Sequence, residues 1–372
     1  MKQQRLEVNK KVFIIIPDNY FAGGLQKSAS SIFDILQKAG FDVTVLCIKL
    51  FPEEYSKSYP NCVAISPNYS SKFLFWTAFF WYFRQILSVH RGSCYIALGL
   101  FPSVALSLVS IGIKQCRLIG SERIYPPMEK PSAVLSLLRR ILFCRFDFVV
   151  VQSKRSINWY QKNIKLPASK LTVIPNVVEL PRADKMQDIQ LEILHESPRP
   201  PTVACVGRLV EQKGFDYALR ALFFIQMEFP LVRMFIVGEG PLQGYLYDLT
   251  IRLGLQDNVS FLSPVSNLAA IWDRVDVFFL PSRYEGFPNV LAEAMSHGLA
   301  SVAFDCPTGP SDLIDSGKNG FLCTVGDFRS AATLVSNLLR DHSLRRRIGM
   351  SAQKVSSTYS RDKVGELWIN LL

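Results

Sequence analysis

At 372 residues the chain is too long for one ordinary hydrophobic core and suits two domains of under about 200 residues each. A hydrophobic content of 49% speaks for a well-buried globular protein, and eight cysteines without a Cys-x-x-Cys spacing read as reduced core thiols of a cytoplasmic protein rather than a disulfide framework. The net charge of +11 is uneven: residues 1–182 carry 24 Lys/Arg against 10 Asp/Glu, and the remainder carries 18 against 21, so an anionic surface or ligand is expected to face the first half.

The basic residues form no nucleic-acid recognition motif, and an anionic membrane surface fits them better than nucleic acid. Met1–Lys11 is polar and the first apolar run is only Val12–Ile16, so no secretory signal is read. Val12–Ile16 predicts a buried strand, Gly23-Gly24 a turn, Leu25–Ala39 a helix ended by Gly40, and Val43–Ile48 a second strand, together a β-α-β unit. Glycine at such a turn permits close backbone approach of a ligand, although a plain turn needs none. Phe73–Leu87 holds eight aromatics. It is too short to span a bilayer and Arg84 interrupts it, which leaves a buried helix or an interfacial one. Further strands are expected at Cys94–Leu98, Arg117–Gly120 (followed by Ser121, Glu122 and Arg123), Phe148–Gln152 and Leu171–Ile174. The polar, proline-bearing stretch Pro181–Pro201 reads as an interdomain linker.

The second half repeats the alternation. Strands are expected at Thr202–Gly207, Arg233–Gly238, Val259–Leu262, Val275–Leu280 and Leu299–Phe304, with helices near Gly214–Met227, Leu242–Leu253, Leu268–Asp273 and Asn289–His297. Such alternation implies a parallel sheet covered on both faces, with ligands at the carboxyl ends of its strands. Arg208 and Lys213 stand just after a strand, where two fixed cations suit a diphosphate. Gly238 and Gly240 end the next strand, beside Glu239, which is equally well a structural residue. Glu285 and Glu293 lie eight residues apart around a turn and a helix start. The helix N-terminus offers free N–H groups and a positive dipole end, a seat for phosphate. Glu285 precedes that seat, and Glu293, one to two turns inside, can accept hydrogen bonds from vicinal hydroxyls. No Asp-x-Asp occurs, and His90, His195, His297 and His342 are far apart. No metal site and no cofactor are therefore expected.

Pro281–Met295, with Cys306–Ile314 and Gly317–Gly320 after it, resembles the Glu-x7-Glu signature of retaining glycosyltransferases of the GT-B fold, in particular the large family 4 group. The resemblance implies an α/β protein of two Rossmann-like domains facing across a cleft. Residues 1–182 would form the acceptor domain, 183–358 the nucleotide-sugar domain, and a terminal helix at 359–372 would cross back onto the first. It implies that Arg208 and Lys213 stabilise the leaving diphosphate, that Glu285 contacts donor-sugar hydroxyls and that Glu293 holds the ribose. Gly286, Phe287 and the amides near Asn289 and Val290 would complete the phosphate seat, with Gly238 beneath the nucleotide. Gly23 and Gly24 match the family's glycine-rich loop near donor and acceptor, with Gln26 where relatives often carry Glu. Ser121-Glu122-Arg123 is similar to an acceptor-side motif of bacterial polysaccharide transferases, and Glu122 and Arg123 are its candidates. Many relatives place a cleft histidine in the first domain; His90 is the sole histidine there and its context does not match.

The implied activity is metal-independent transfer of a sugar from a nucleoside-diphosphate donor, UDP-linked in preference to GDP-linked. The expected acceptor is a polyprenyl-diphosphate-linked glycan of cell-surface polysaccharide assembly, met by a peripheral protein at the cytoplasmic membrane face. A GT-B sugar-nucleotide epimerase and a non-catalytic nucleotide-sugar-binding partner are the alternatives.

Overall fold

The apolar runs become two parallel sheets. The computed structural model describes residues 11–18, 24–49, 62–64, 72–129, 131–179, 199–265 and 268–372, so Gly23 and most of the expected linker lie outside the described residues. The chain divides into two compact units, Met1–Val177 with Arg361–Leu372, and Val178–Ser360.

The first unit runs β1 (Lys11–Asp18), α1 (Gly24–Lys38), β2 (Asp42–Lys49), β3 (Cys62–Ala64), α2 (Lys72–Val89), β4 (Cys94–Leu98), α3 (Leu100–Val109), β5 (Arg117–Ser121), α4 (Ala133–Leu142), β6 (Phe148–Val151), α5 (Lys154–Asn163) and β7 (Leu171–Val173). The seven strands are parallel in the order β3-β2-β1-β4-β5-β6-β7. In register, Ile14 lies opposite Val45 on one side and Ile96 on the other. Both faces are covered, which is why these strands are nearly continuous apolar runs rather than alternating ones. The strand order reverses direction after β3, so right-handed crossovers send α2 to α5 to one face and α1 to the other.

On the α2 to α5 face, Phe13, Ile15, Leu46, Tyr95 and Val149 pack against Phe79, Phe83 and Leu87 of α2, Leu106 of α3 and Tyr160 of α5. Helix α2 is therefore a core helix along its i, i+4, i+8 stripe. Its other side leaves Trp81 64% exposed.

The second unit runs β8 (Thr202–Val206), α6 (Phe215–Glu228), β9 (Arg233–Val237), α7 (Gln243–Arg252), β10 (Val259–Leu262), α8 (Ala269–Trp272), β11 (Val277–Leu280), α9 (Asn289–Ser296), β12 (Ala300–Phe304), α10 (Pro310–Leu313), β13 (Phe321–Cys323), α11 (Phe328–Arg340), α12 (His342–Ala352) and α13 (Lys354–Thr358). Its six strands are parallel in the order β10-β9-β8-β11-β12-β13. Val203, Met234, Val277 and Val302 face Leu222, Leu246 and Val335 on one side. The alternate strand residues Ala204, Phe235, Phe278 and Ala303 face Trp272, Leu291 and Met295 on the other.

The last helix, α14 (Arg361–Ile369), belongs to the first unit. It packs on α1, where Ile35 meets Gly365 and Asp34 pairs with Arg361 at 3.1 Å. Among the described residues no helix is long and apolar enough to cross a membrane.

Candidate active site

Strands β8 and β11 are neighbours whose connections leave in opposite directions, so the loops after them open a crevice at the carboxyl edge of the second sheet. Those loops carry Arg208 and Lys213 on one side and Glu285 on the other. Lys213 Nζ lies 2.6 Å from Glu285 Oε1, and Ser282 Oγ donates to the same oxygen at 2.7 Å. The Glu285 side chain is only 6% exposed and that of Lys213 17%, so the attraction is screened far less than on an open surface. Thr308 Oγ1, from the loop after β12, donates to the Glu285 carbonyl. Among the described residues nothing donates to Glu285 Oε2, which leaves it available to a ligand hydroxyl.

The two loops are stitched together away from that pair. Arg283 N donates to Gln212 O at 2.8 Å and Gln212 Nε2 to Tyr284 O at 3.0 Å. The Arg283 guanidinium forms a two-pronged pair with Asp216, both bonds 2.9 Å, and lies 4.3 Å from the Tyr217 ring. The hydrogen bonds to Asp216 hold that guanidinium above its ordinary pKa. Gly214 has φ +64°, and a Cβ there would stand 2.1 Å from Pro281 O. Only glycine closes this junction. Gly238 (φ +147°) is required by backbone alone, since its Cβ would lie 2.0 Å from Gly207 O.

Arg208 is exposed, and its guanidinium takes no partner among the described residues. Helix α9 begins after Pro288 without a side-chain cap. The Asn289 N–H is occupied by Phe287 O at 2.9 Å, which corrects the expectation that its amide serves the phosphate seat. The Val290 and Leu291 amides have no partner among the described residues and point out of the helix start. Glu293, half-buried, follows in the next turn. Gly286 is half-buried, whereas the Phe287 side chain is packed edge-on against Tyr359, 5.7 Å between centroids. Only the Phe287 backbone remains for a ligand. Next to Glu285, the buried Cys306 thiol is pushed up to about 12, first by burial and then by the carboxylate.

In the first unit the carboxyl edge is organised around Asn176, just after β7. Arg123 Nη1, Gln152 Nε2 and Ser28 Oγ stand 2.9, 2.8 and 2.8 Å from its Oδ1. Ser28 also lies 2.9 Å from the carbonyl of Gly24, the exposed first residue of α1. Arg123 faces the Trp368 ring at 5.8 Å, its Nε and Nη2 are buried without partners among the described residues, and burial lowers it to about 10. Glu122 turns inward: both carboxylate oxygens are buried, with Oε2 3.5 Å from Arg139 Nη1, which also reaches Glu129 at 3.3 Å. Burial, then the charge of Glu129, holds Glu122 above the usual carboxylate range. In this geometry neither Glu122 nor the guanidinium end of Arg123 is offered to a ligand. His90 lies beyond α2 at the amino edge of the sheet, its ring 5.2 Å from that of Phe13, away from these residues. Among the described residues no group of His, Cys, Asp and Glu could hold a metal.

Sequence reasoning located Arg208, Lys213 and Glu285 but not Ser282 or Thr308 as supports of Glu285, nor Asn176 as a hub. Ser282 and Thr308 lie inside the recognised motifs, and that position was the available signal. Asn176 carried none beyond following a strand.

Residues 186–355 match the family model described as glycosyl transferases group 1. The chain is 24% identical over 363 residues to the amylovoran biosynthesis glycosyltransferase AmsD of Erwinia amylovora, covering 97% of this chain and 99% of that one. It is 25% identical over 235 residues, 63% of this chain and 62% of the other, to the N-acetylgalactosamine-N,N'-diacetylbacillosaminyl-diphospho-undecaprenol 4-alpha-N-acetylgalactosaminyltransferase of Campylobacter jejuni. The chain spans only 23, 48 and 46% of the length of three other curated relatives it matches. The crystal structure of Anabaena Alr3699/HepE in complex with UDP superposes with a TM-score of 0.81 at 20% identity, over 97% of this chain and 98% of that one. The two sheet orders and that superposition agree on the GT-B fold, and the segment that carries the Lys213–Glu285 pair lies within residues 186–355, which match the glycosyl transferases group 1 model.

Proposed function

We propose that the chain is a retaining glycosyltransferase of bacterial polysaccharide assembly. It takes a sugar from a nucleoside-diphosphate donor, UDP-linked in preference to GDP-linked, and passes it to a hydroxyl of a polyprenyl-diphosphate-linked glycan. The observation that carries this reading is the Lys213–Glu285 pair at the β8/β11 crevice, with Arg208 exposed on the same loop and the Val290 and Leu291 amides unpartnered at the start of α9. The UDP held by the HepE structure and the diphospho-undecaprenol named for the Campylobacter relative support the donor and acceptor classes.

The unit Val178–Ser360 holds the donor, and the unit of Met1–Val177 with Arg361–Leu372 the acceptor. In the reaction the bond from the sugar C1 to the diphosphate oxygen breaks as charge grows on the diphosphate. Arg208 and Lys213 offset that charge without a required metal, and the α9 amides complete the seat. The Lys213 ammonium has three donors, so it can keep Glu285 and still meet a phosphate oxygen. Glu285 Oε2 accepts from a donor-sugar hydroxyl and fixes the ring, while Glu293 accepts from the ribose. The acceptor hydroxyl forms its bond to C1 on the face the diphosphate leaves, and its proton passes to the departing phosphate oxygen. Within the first unit Gly24 is exposed at the start of α1, and Glu122 and Arg123 act as struts behind the carboxyl edge of its sheet.

The test is a panel of UDP- and GDP-sugars with a lipid-linked acceptor in chelator-treated buffer, the product's anomeric configuration being read by NMR. A product with the donor's configuration and no metal requirement is expected. An inverted product, or strict dependence on Mg²⁺ or Mn²⁺, overturns the mechanism. A changed free sugar formed from donor alone assigns an epimerase instead.

A further inference from the structure

Helix α4 turns apolar residues outward. Val134, Leu137 and Ile141 recur at i, i+3 and i+7, a single stripe, and are 68, 57 and 56% exposed. The inner side is already used: Leu142 enters the core and Arg139 the buried cluster with Glu122 and Glu129. The helix is thus committed on one face and carries aliphatic side chains where a solvated helix carries charge.

The surrounding charge is predominantly positive. Residues 55–121 contain no Asp or Glu, and residues 55–178 hold sixteen Lys/Arg against three acidic residues. Two of those three, Glu122 and Glu129, are engaged by Arg139. Arg140 and Arg145 are exposed at the end of α4, and Lys154, Arg155 and Lys162 are exposed on α5. Helix α3 packs against both α2 and α4, so the three form one layer on the sheet. From that layer α2 adds the exposed Trp81 and Tyr82, and the end of α3 adds Ile111.

We infer that this helical layer, centred on the α4 stripe, docks on the surface of an anionic lipid bilayer, an inference that rests on the proposed lipid-linked acceptor. Aliphatic side chains that enter the headgroup region, aromatic residues beside them and arginines toward lipid phosphates are the combination such a surface takes. A nucleic acid would not reward the apolar stripe, and a protein partner would have to meet a predominantly basic surface. Attachment is peripheral, through side chains that enter the headgroups and no deeper.

The full chain is mixed with vesicles of phosphatidylcholine alone and with added phosphatidylglycerol, and binding is read by co-sedimentation across a salt series. Binding to the anionic vesicles at low salt and release at high salt are expected. Val134→Ser with Leu137→Ser and Ile141→Ser should weaken binding about tenfold or more, and Arg140→Gln about fivefold. Unfolding midpoints should be unchanged, because these side chains are exposed. A triple variant that binds like the parent overturns the proposal, as does equal binding to neutral vesicles. Dimerisation abolished by the triple variant in place of vesicle binding would assign the face to a second copy and overturn it as well. UDP binding, followed in parallel, separates the two readings: its loss in the parent chain sinks sugar transfer, whereas its retention beside failed vesicle binding sinks the docking surface alone.

Discussion

Arg208 and Lys213 are given the same chemical task but differ in surroundings, and that difference makes the assignment testable. Each should lower turnover by about a hundredfold or more when changed to Ala, because in the proposed mechanism each offsets charge that grows in the transition state. Arg208→Ala should leave stability unchanged, since its guanidinium is exposed and unpartnered among the described residues. Lys213→Ala removes the cation beside the buried Glu285 carboxylate, which among the described residues then keeps only the Ser282 hydroxyl, at a cost of about 1–3 kcal/mol. Steady-state kinetics with urea unfolding of both variants checks the pair, and normal turnover in the double variant would remove the clamp. Each of these residues was legible in sequence as part of a motif. Their meeting was not: 72 residues separate Lys213 from Glu285, and no local spacing encodes which strand lies beside which. The inward turn of Glu122 was illegible for a related reason. It follows a strand by one residue, where a single step decides between the interior and the carboxyl edge.

At the scale of elements, α2 shows where periodicity stops informing. Eight aromatics within fifteen residues leave no polar side to contrast with an apolar one, so the sequence could not say which stripe is core. The fold selects Phe79, Phe83 and Leu87. Phe79→Ala should therefore cost about 3–5 kcal/mol, whereas Trp81→Ala should fall within about 0.5 kcal/mol of the parent. Urea midpoints compare them directly, and equal losses would mean that the helix packs otherwise. Buried strands such as Val12–Ile16 and Val259–Leu262 were readable because parallel strands covered on both faces are continuous apolar runs. Strand β13 was not: it is three residues long, half-buried, and follows the polar turn at Gly317–Gly320. Its pairing with β12 comes from tertiary packing.

For the whole molecule, the informative feature is that the chain leaves its first unit, builds the second and returns with α14. The return is packed rather than draped. Trp368 is 1% exposed, Val364 2%, and Gly365 admits Ile35 where a Cβ would stand 3.2 Å from it. Through Trp368 the helix reaches Arg123, and through Arg123 the Asn176 hub at the carboxyl edge of the first sheet. Trp368→Ala should then cost about 3–5 kcal/mol from lost burial and the cavity left behind, and it should loosen Arg123, which would keep its bond to Asn176 but lose the ring it faces. The effect should be confined to one unit. Hydrogen exchange should rise in α1 and around Asn176, while the β8 to β13 sheet keeps its protection and the UDP binding proposed above is unchanged. Trp368→Phe should restore most of the stability, because an aromatic ring of smaller volume still fills much of the site. Exchange that rises equally in both sheets would show that the two units unfold as one, and the returning helix would then be a clasp for the whole chain rather than a part of its first unit.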